Sequence, residues 1–336
     1  MALQSIGDLA RSFVLRQQGA HLTRETDRLT REVSTGRATD TARHLSGNLL
    51  PLADIERALT LADAHREVAR IAAVDAGIMQ TALGRVEESG RALAVAALAT
   101  GSAGGAMQPG VIAEAARNAL SSMIGALGTG SAGRVLFGGE VTDRAPLADA
   151  DTLLQELRTV LTAAPDASAL RGALDSFFDA ADGGFATGIY RGGQGSAAGH
   201  ALGAGETVAL SIRADDAALR GQIKQAAMLS LIDDPALALD PEDRAALARE
   251  LGTGLLAGQD GVARLRGQLG FAEERIAQAV ARIDAETTGL RVARNDLVSV
   301  DIFESAAALE QVQTQLETLY TITARTARLN LANFLS

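Results

Sequence analysis

The chain has 336 residues, enough for a substantial core, and no cysteine, which removes disulfide scaffolds, thiol nucleophiles and thiolate metal sites together. Its formal charge is −10, and Lys224 is the lone lysine among 31 basic residues. Arginine is interleaved with acidic residues, as in RETDRLTRE (24–32), so no concentrated basic face is offered to nucleic acid.

The opening, MALQSIGDLARS, lacks the basic start and apolar core of a cleavable secretory signal, and no later stretch approaches the roughly 20 apolar residues of a membrane span. Taken alone, these rules predict a cytoplasmic protein and no membrane partner. Proline occurs at only six positions, 51, 109, 146, 165, 235 and 241, which leaves 1–50, 52–108 and 242–336 free of the strongest helix breaker. Abundant alanine and few aromatic residues favour helix there.

In the second of these stretches Ile55, Leu59, Ala62, Ala69, Ala73, Ala76, Leu83 and Val86 recur at helical spacing, and the small alanines predict close helix approach. TGSAGGAMQPG (100–110) is a turn by composition, and VIAEAARNALSSMIGAL (111–127) a further amphipathic helix. Glycine density then rises. Arg134 to Phe137 is predicted as a short strand, as are FATGIYRGG (185–193) and GETVALSIRADD (205–216), with helices near 150–163 and 167–181. A small β-containing domain is therefore expected at 139–225.

The closing segment carries a heptad-like seam through Ile302, Leu309, Val312, Leu316 and Leu319. Near the amino end Ile6, Leu9 and Phe13 offer a matching stripe, so the two ends are expected to pair as a coiled coil. The final turn, NLANFLS, places Leu331, Phe334 and Leu335 where chain ends are usually polar. Burying these three against another molecule would contribute about 1.5 to 3 kcal/mol each. The fold class predicted is mainly α: a long antiparallel helical rod with paired terminal helices and a small β-containing outer domain. The division expected is 1–33 with 297–336 for the terminal coiled coil, 34–138 with 226–296 for the helical rod, and 139–225 for the outer domain.

No catalytic constellation emerges. The four histidines, His21, His44, His65 and His200, lack metal-ligand spacing, so no metal is expected. GTGSAGR (128–134) lacks the Gly-Lys-Ser/Thr ending of a phosphate loop, and the Gly-rich run 190–205 reads as a connection, so no cofactor is expected. Adjacent acidic pairs such as Glu87–Glu88, Asp233–Asp234 and Glu273–Glu274 point roughly 100° apart on a helix and form no carboxylate dyad.

LTREVSTGRATDTARHLSGN (29–48), GRVLFGGEVTDRAPL (133–147) and the closing segment 300–336 together resemble the flagellin superfamily, and within it the branch that joins hook to filament. Ser34, Thr35 and Gly36 in LTREVSTGRATDTARHLSGN (29–48) fit the family's Ser-Ser/Thr-Gly-x-Arg pattern, with Arg37 at its open position and Ala38 where the pattern has Arg, and TDTARH replaces its usual Pro-Ser-Asp-Asp. GRVLFGGEVTDRAPL is similar at 134–139 to the passage where the family's helical part gives way to its outer domain. The segment 300–336 is similar to the family's terminal helix, with its acidic start, Gln-rich heptads, repeated Ala/Thr and final Leu-Leu-x-Phe/Tyr-Leu, the second Leu being Ala332 here.

The resemblance implies a structural, non-enzymatic protein of the bacterial flagellum, exported by the flagellar export apparatus without a cleaved signal, which overrides the cytoplasmic expectation. It implies as partners the adjacent hook-associated junction protein, flagellin, and copies of this chain in a ring or helical array. Its terminal helices would order on assembly. The assembly interface expected is Ile6, Leu9, Phe13, Ile302, Leu309, Val312, Leu316, Leu319, Leu331, Phe334 and Leu335. A filament subunit is the nearest alternative, a coiled-coil signalling rod a more distant one, and an enzyme the third.

Overall fold

The computed structural model describes residues 6–100, 109–164, 166–203, 205–237 and 239–335, with the side chains of 6–9, 100, 109 and 327–335 outside that description. The turn expected at 100–110 falls almost entirely outside it. The architecture is mainly α, long helices packed together with two small antiparallel strand pairs.

Contacts divide the chain into two compact units: Met1–Asp63 with Asp284–Ser336, and Ala64–Ile283. The first unit contains α1 (Ile6–Thr35), the single turn α2 (Thr41–His44) and α9 (Ile302–Leu335). The helices α3 (Leu50–Thr100) and α8 (Pro241–Val298) each contribute a segment to both units. Pro51 and Pro241 fall in the first turns of α3 and α8, where proline is tolerated, and no proline follows in either, which permits helices of such length.

The second unit has a closed hydrophobic core. On α3 the buried stripe runs Ala69, Ala72, Ala76, Met79, Leu83 and Val86, alternating steps of three and four. The stripe expected through Ala73 therefore passes through Ala72, and Ala73 is exposed. Against it pack α4 (Pro109–Leu127), α7 (Ala217–Ser230) and the α8 residues Leu251, Leu255, Val262, Leu269 and Ile276, in one cluster. Helices α5 (Ala150–Leu161) and α6 (Ala167–Asp179) add Leu153, Leu157, Phe177 and Phe178 to the same cluster, so residues 139–225 share their core with the long helices. Asp149 and Asp166 cap the two helices by accepting from the amides of Thr152 and Ala169.

Strand β1 (Gly130–Ser131) pairs with β2 (Arg134–Val135), which places a strand where Arg134 was expected to lie in one. Strand β3 (His200–Gly203) pairs with β4 (Glu206–Val208) as a hairpin. Val208, Leu210 and Ile212 are buried and Ala209 and Ser211 exposed, so the alternation read from the sequence persists past the end of the ladder.

The strand expected at 185–193 is absent. Phe185–Ile189 form one π-helical turn, closed by the amide of Tyr190 donating to the Phe185 carbonyl at 2.8 Å. Phe185 and Ile189 both reach the core from this turn. Only Tyr190 pairs in β fashion, with Leu147.

Candidate assembly surface of the terminal helices

The first unit is built around α1 and α9. Two close approaches set their register. A Cβ on Gly19 would lie 3.4 Å from Leu319 Cδ2, and one on Gly36 would lie 3.7 Å from Ile302 Cδ1. The helices are therefore antiparallel, and the register places Leu22 opposite Leu316, Thr26 opposite Val312 and Leu29 opposite Leu309.

On α9 the predicted seam faces α1: Leu319 is buried, Leu309, Val312 and Leu316 are half-buried, and Ile302 at the first turn stays half exposed. On α1 the inward stripe is Leu15, Gly19, Leu22, Thr26, Leu29 and Val33, stepping by four and three in alternation, each buried or half-buried. Phe13, expected on this stripe, stands off it and is 62% exposed. Helical geometry explains the difference, since Phe13 lies about 200° around the helix from Leu15. The side chains of Ile6, Leu9, Leu331, Phe334 and Leu335 lie outside the described residues.

The turn that follows α1 is held from both sides. Gly36 adopts a φ of +66°, a left-handed conformation suited to glycine at a helix end, and its amide donates to the Glu32 carbonyl at 2.8 Å. Beyond it, the Ala38 amide donates to the Val298 carbonyl and the Val300 amide to that of Gly36, at 2.8 and 3.1 Å. Arg37 Nη2 donates to Asn295 Oδ1 at 2.9 Å. The Ser34 to Arg37 motif is thus the point where the end of α1 is hydrogen-bonded to the joint between α8 and α9. Asp301 caps α9, its carboxylate accepting from the amides of Phe303 and Glu304.

Glu32 is 4% exposed and fully used: Arg28 Nη1 donates to it at 2.6 Å and the Thr39 amide at 3.0 Å. Arg28 also forks onto Glu25. That hydrogen bond holds the Glu25 carboxyl below its ordinary value, and Glu25 in turn raises the arginine.

Beyond the seam, both helices carry a second set of apolar side chains. Val14 and Phe13 on α1, and Ile322, Tyr320 and Phe303 on α9, are all at least half exposed, Phe303 at 88%. Between the helices, where Gly19 and Ala20 face Leu319, Tyr320 and Thr323, lies a groove of about 520 Å³. Small residues on α1 opposite threonine on α9 leave this space. Among the described residues no three His, Asp or Glu side chains gather to hold a metal ion, and no helix is long and apolar enough to cross a membrane.

Residues 258–335, which take in the second half of α8 and almost all of α9, match the family model described as the bacterial flagellin C-terminal helical region. No curated protein matches the chain. The matched family points to a structural protein. Over this C-terminal stretch the chain is similar to the helical region of flagellin.

Proposed function

We propose that the protein is a junction adaptor between hook and filament, assembling through its terminal helices with neighbouring copies, the adjacent hook-associated protein and flagellin. The terminal segments 1–33 and 297–336 form the assembly domain in this reading, 34–138 with 226–296 the helical rod, and 139–225 the outer domain. The observation that carries it is the second apolar set on the α1/α9 pair. An isolated pair of helices that has already satisfied its seam gains nothing by presenting Phe13, Val14, Phe303, Tyr320 and Ile322 to water. Repeated head-to-tail contact through such a surface generates a ring or an open helical array. The buried seam and the chain-end residues Leu331, Phe334 and Leu335 belong to the same proposed interface. Export to the cell exterior without a cleaved signal is part of the same proposal.

The test separates assembly from folding. Purified full-length chain is incubated with isolated hook material, beside Val14→Glu, Tyr320→Glu and Leu316→Asp. The two outward substitutions should retain the helical circular dichroism of the parent and lose attachment. Leu316→Asp should lose both part of the terminal helicity and attachment. Undiminished attachment of both outward variants would overturn the reading. Immunolabelling then distinguishes the position: signal confined to the hook end is expected of an adaptor, whereas signal along the whole filament would make the chain a filament subunit.

A further inference from the structure

In the second unit, the outer face of α8 carries a row of side chains that assembly through the terminal helices does not use. Asp260, Arg264, Gly267, Phe271, Glu274 and Gln278 step by four and three in alternation, and all six are exposed. Gly267 and Phe271 each lie about 200° around the helix from Leu269, which is buried, so the row points away from the core. Phe271 is 72% exposed. A Cβ on Gly267 would meet nothing within 4 Å, so no contact among the described residues calls for glycine at a position where it weakens the helix. The charges flanking the row are engaged, Arg266 with Glu87 of α3 at 2.6 Å, and Arg275 and Arg282 with Glu206 of β4 at 3.4 and 2.7 Å. Those within it, Arg264 and Glu274, form no ion pair among the described residues. Arg264 Nε donates to the Asp260 carbonyl at 3.3 Å, and Glu274 Oε1 accepts from Gln278 Nε2 at 3.1 Å.

Reversed end to end, the row is its own complement. Positions 260 and 278, 264 and 274, and 267 and 271 are each centred on Leu269, so an antiparallel copy sets acid against amide, arginine against glutamate, and glycine against phenylalanine. We propose that this face binds a second copy of the chain, α8 against α8 about a two-fold axis, with Phe271 of each copy seated over the partner's Gly267 and Arg264 paired with the partner's Glu274. Two-fold symmetry makes every such contact twice, as an isologous interface requires. The missing side chain at Gly267 lets the backbone come close enough for the ring to lie on it. Charge fixes the direction, because a parallel pair in register would set Arg264 against the partner's Arg264 and Glu274 against the partner's Glu274. A two-fold pair closes on itself and does not continue into a head-to-tail array, so this dimer is a form of the chain outside the array.

The chain has no cysteine, so single thiols can be placed without background. Full-length Arg264→Cys and Glu274→Cys are oxidised separately and as an equal mixture. Along one helix the two positions are about 15 Å apart, well beyond the roughly 7 Å between Cα atoms that a disulfide spans. Antiparallel pairing therefore gives cross-linked dimer in the mixture and none above collision background in either variant alone, and the mixed pair keeps its second Arg264–Glu274 contact. Adding Phe271→Ala or Gly267→Gln to both variants should slow the cross-link about tenfold with helical circular dichroism unchanged, since both positions face solvent. In the cysteine-free chain, Arg264→Glu and Glu274→Arg should each weaken dimerisation about tenfold by sedimentation equilibrium, and the two together should restore it. No dimer in the mixture, cross-linking of either variant with itself as fast as the mixture, or a double exchange that fails to restore dimerisation would overturn the proposal. Val14→Glu and Tyr320→Glu should leave the mixed cross-link intact, so the outcome is independent of whether the terminal helices assemble.

Discussion

At the scale of single residues, the network around Arg28 shows how a polar cluster can sit inside a helix pair with few hydrophobic contacts. Arg28 spans three and four residues along α1 to reach Glu25 and Glu32, so both partners are on one helical face and are bridged without distorting the backbone. Glu32 extends the network out of the helix, receiving the Thr39 amide beyond the glycine turn. Because the folded chain holds the Glu25 carboxyl below its ordinary 4.5, the charged pair stabilises α1 fully above that value. The contribution is lost as pH falls through the depressed value. Glu25→Gln should therefore reduce terminal-helix stability by about 0.5 kcal/mol at neutral pH and by nothing in strong acid. Thermal melts of parent and variant followed across acidic pH check this; a constant gap between them would contradict it.

At the scale of elements, glycines decide which helix crossings are closed and which have slack. Gly90 of α3 sits where a Cβ would meet Gln222 Oε1 at 2.3 Å. Gln222 cannot move aside cheaply: it is completely buried, donates to the Leu255 carbonyl at 3.0 Å, and would also meet a Cβ on Gly258. Gly19 differs, since the Leu319 methyl 3.4 Å away is an ordinary contact. Gly90→Ala should therefore destabilise the second unit by about 1 to 3 kcal/mol through overpacking. Gly19→Ala should stabilise the α1/α9 pair by about 0.5 to 1 kcal/mol through helix propensity. Chemical denaturation monitored separately on α4 and α9 distinguishes the two effects, and equal signs would refute the assignment of slack to Gly19.

The same contrast explains what could be read from the sequence. The α9 seam was legible because its inward positions are Leu and Val at heptad spacing. The α1 seam was not, because Gly19 and Thr26 occupy inward positions that hydrophobic counting passes over, while Phe13 and Val14 supply a misleading apolar signal on the outer side. Residues 185–189 misled in a different way. Phe, Thr, Ile and Tyr suggest β structure by composition, but the segment closes on itself as one π turn, the Tyr190 amide donating to the Phe185 carbonyl, with Phe185 and Ile189 in the core. The approach of His200 to Asp75 had no sequence signal at all, since the two are brought together only by the docking of β3 on α3.

At the scale of the whole molecule, the two units differ in how they are stabilised. The second unit encloses residues from α3 to α8 in one core, with Leu83, Leu120, Met123, Leu153, Leu219 and Leu255 fully buried. In the first, the α1/α9 pair buries little beyond Leu22, Leu29 and Leu319 among the described side chains, and its remaining inward positions are half-buried. In the proposed assembly a neighbour covers the rest of so narrow a seam, and local opening free energy follows buried apolar contact. Amides in the middle of α1 and α9 should therefore exchange at least tenfold faster than those of α4 and α7 in the unassembled chain, and should slow towards core rates once hook material is added. Exchange followed by mass spectrometry before and after addition measures both quantities. If α1 and α9 were already protected like α4 in the free chain, their outward apolar side chains would have no stabilising debt for a neighbour to settle, and assembly through them would lose its driving force.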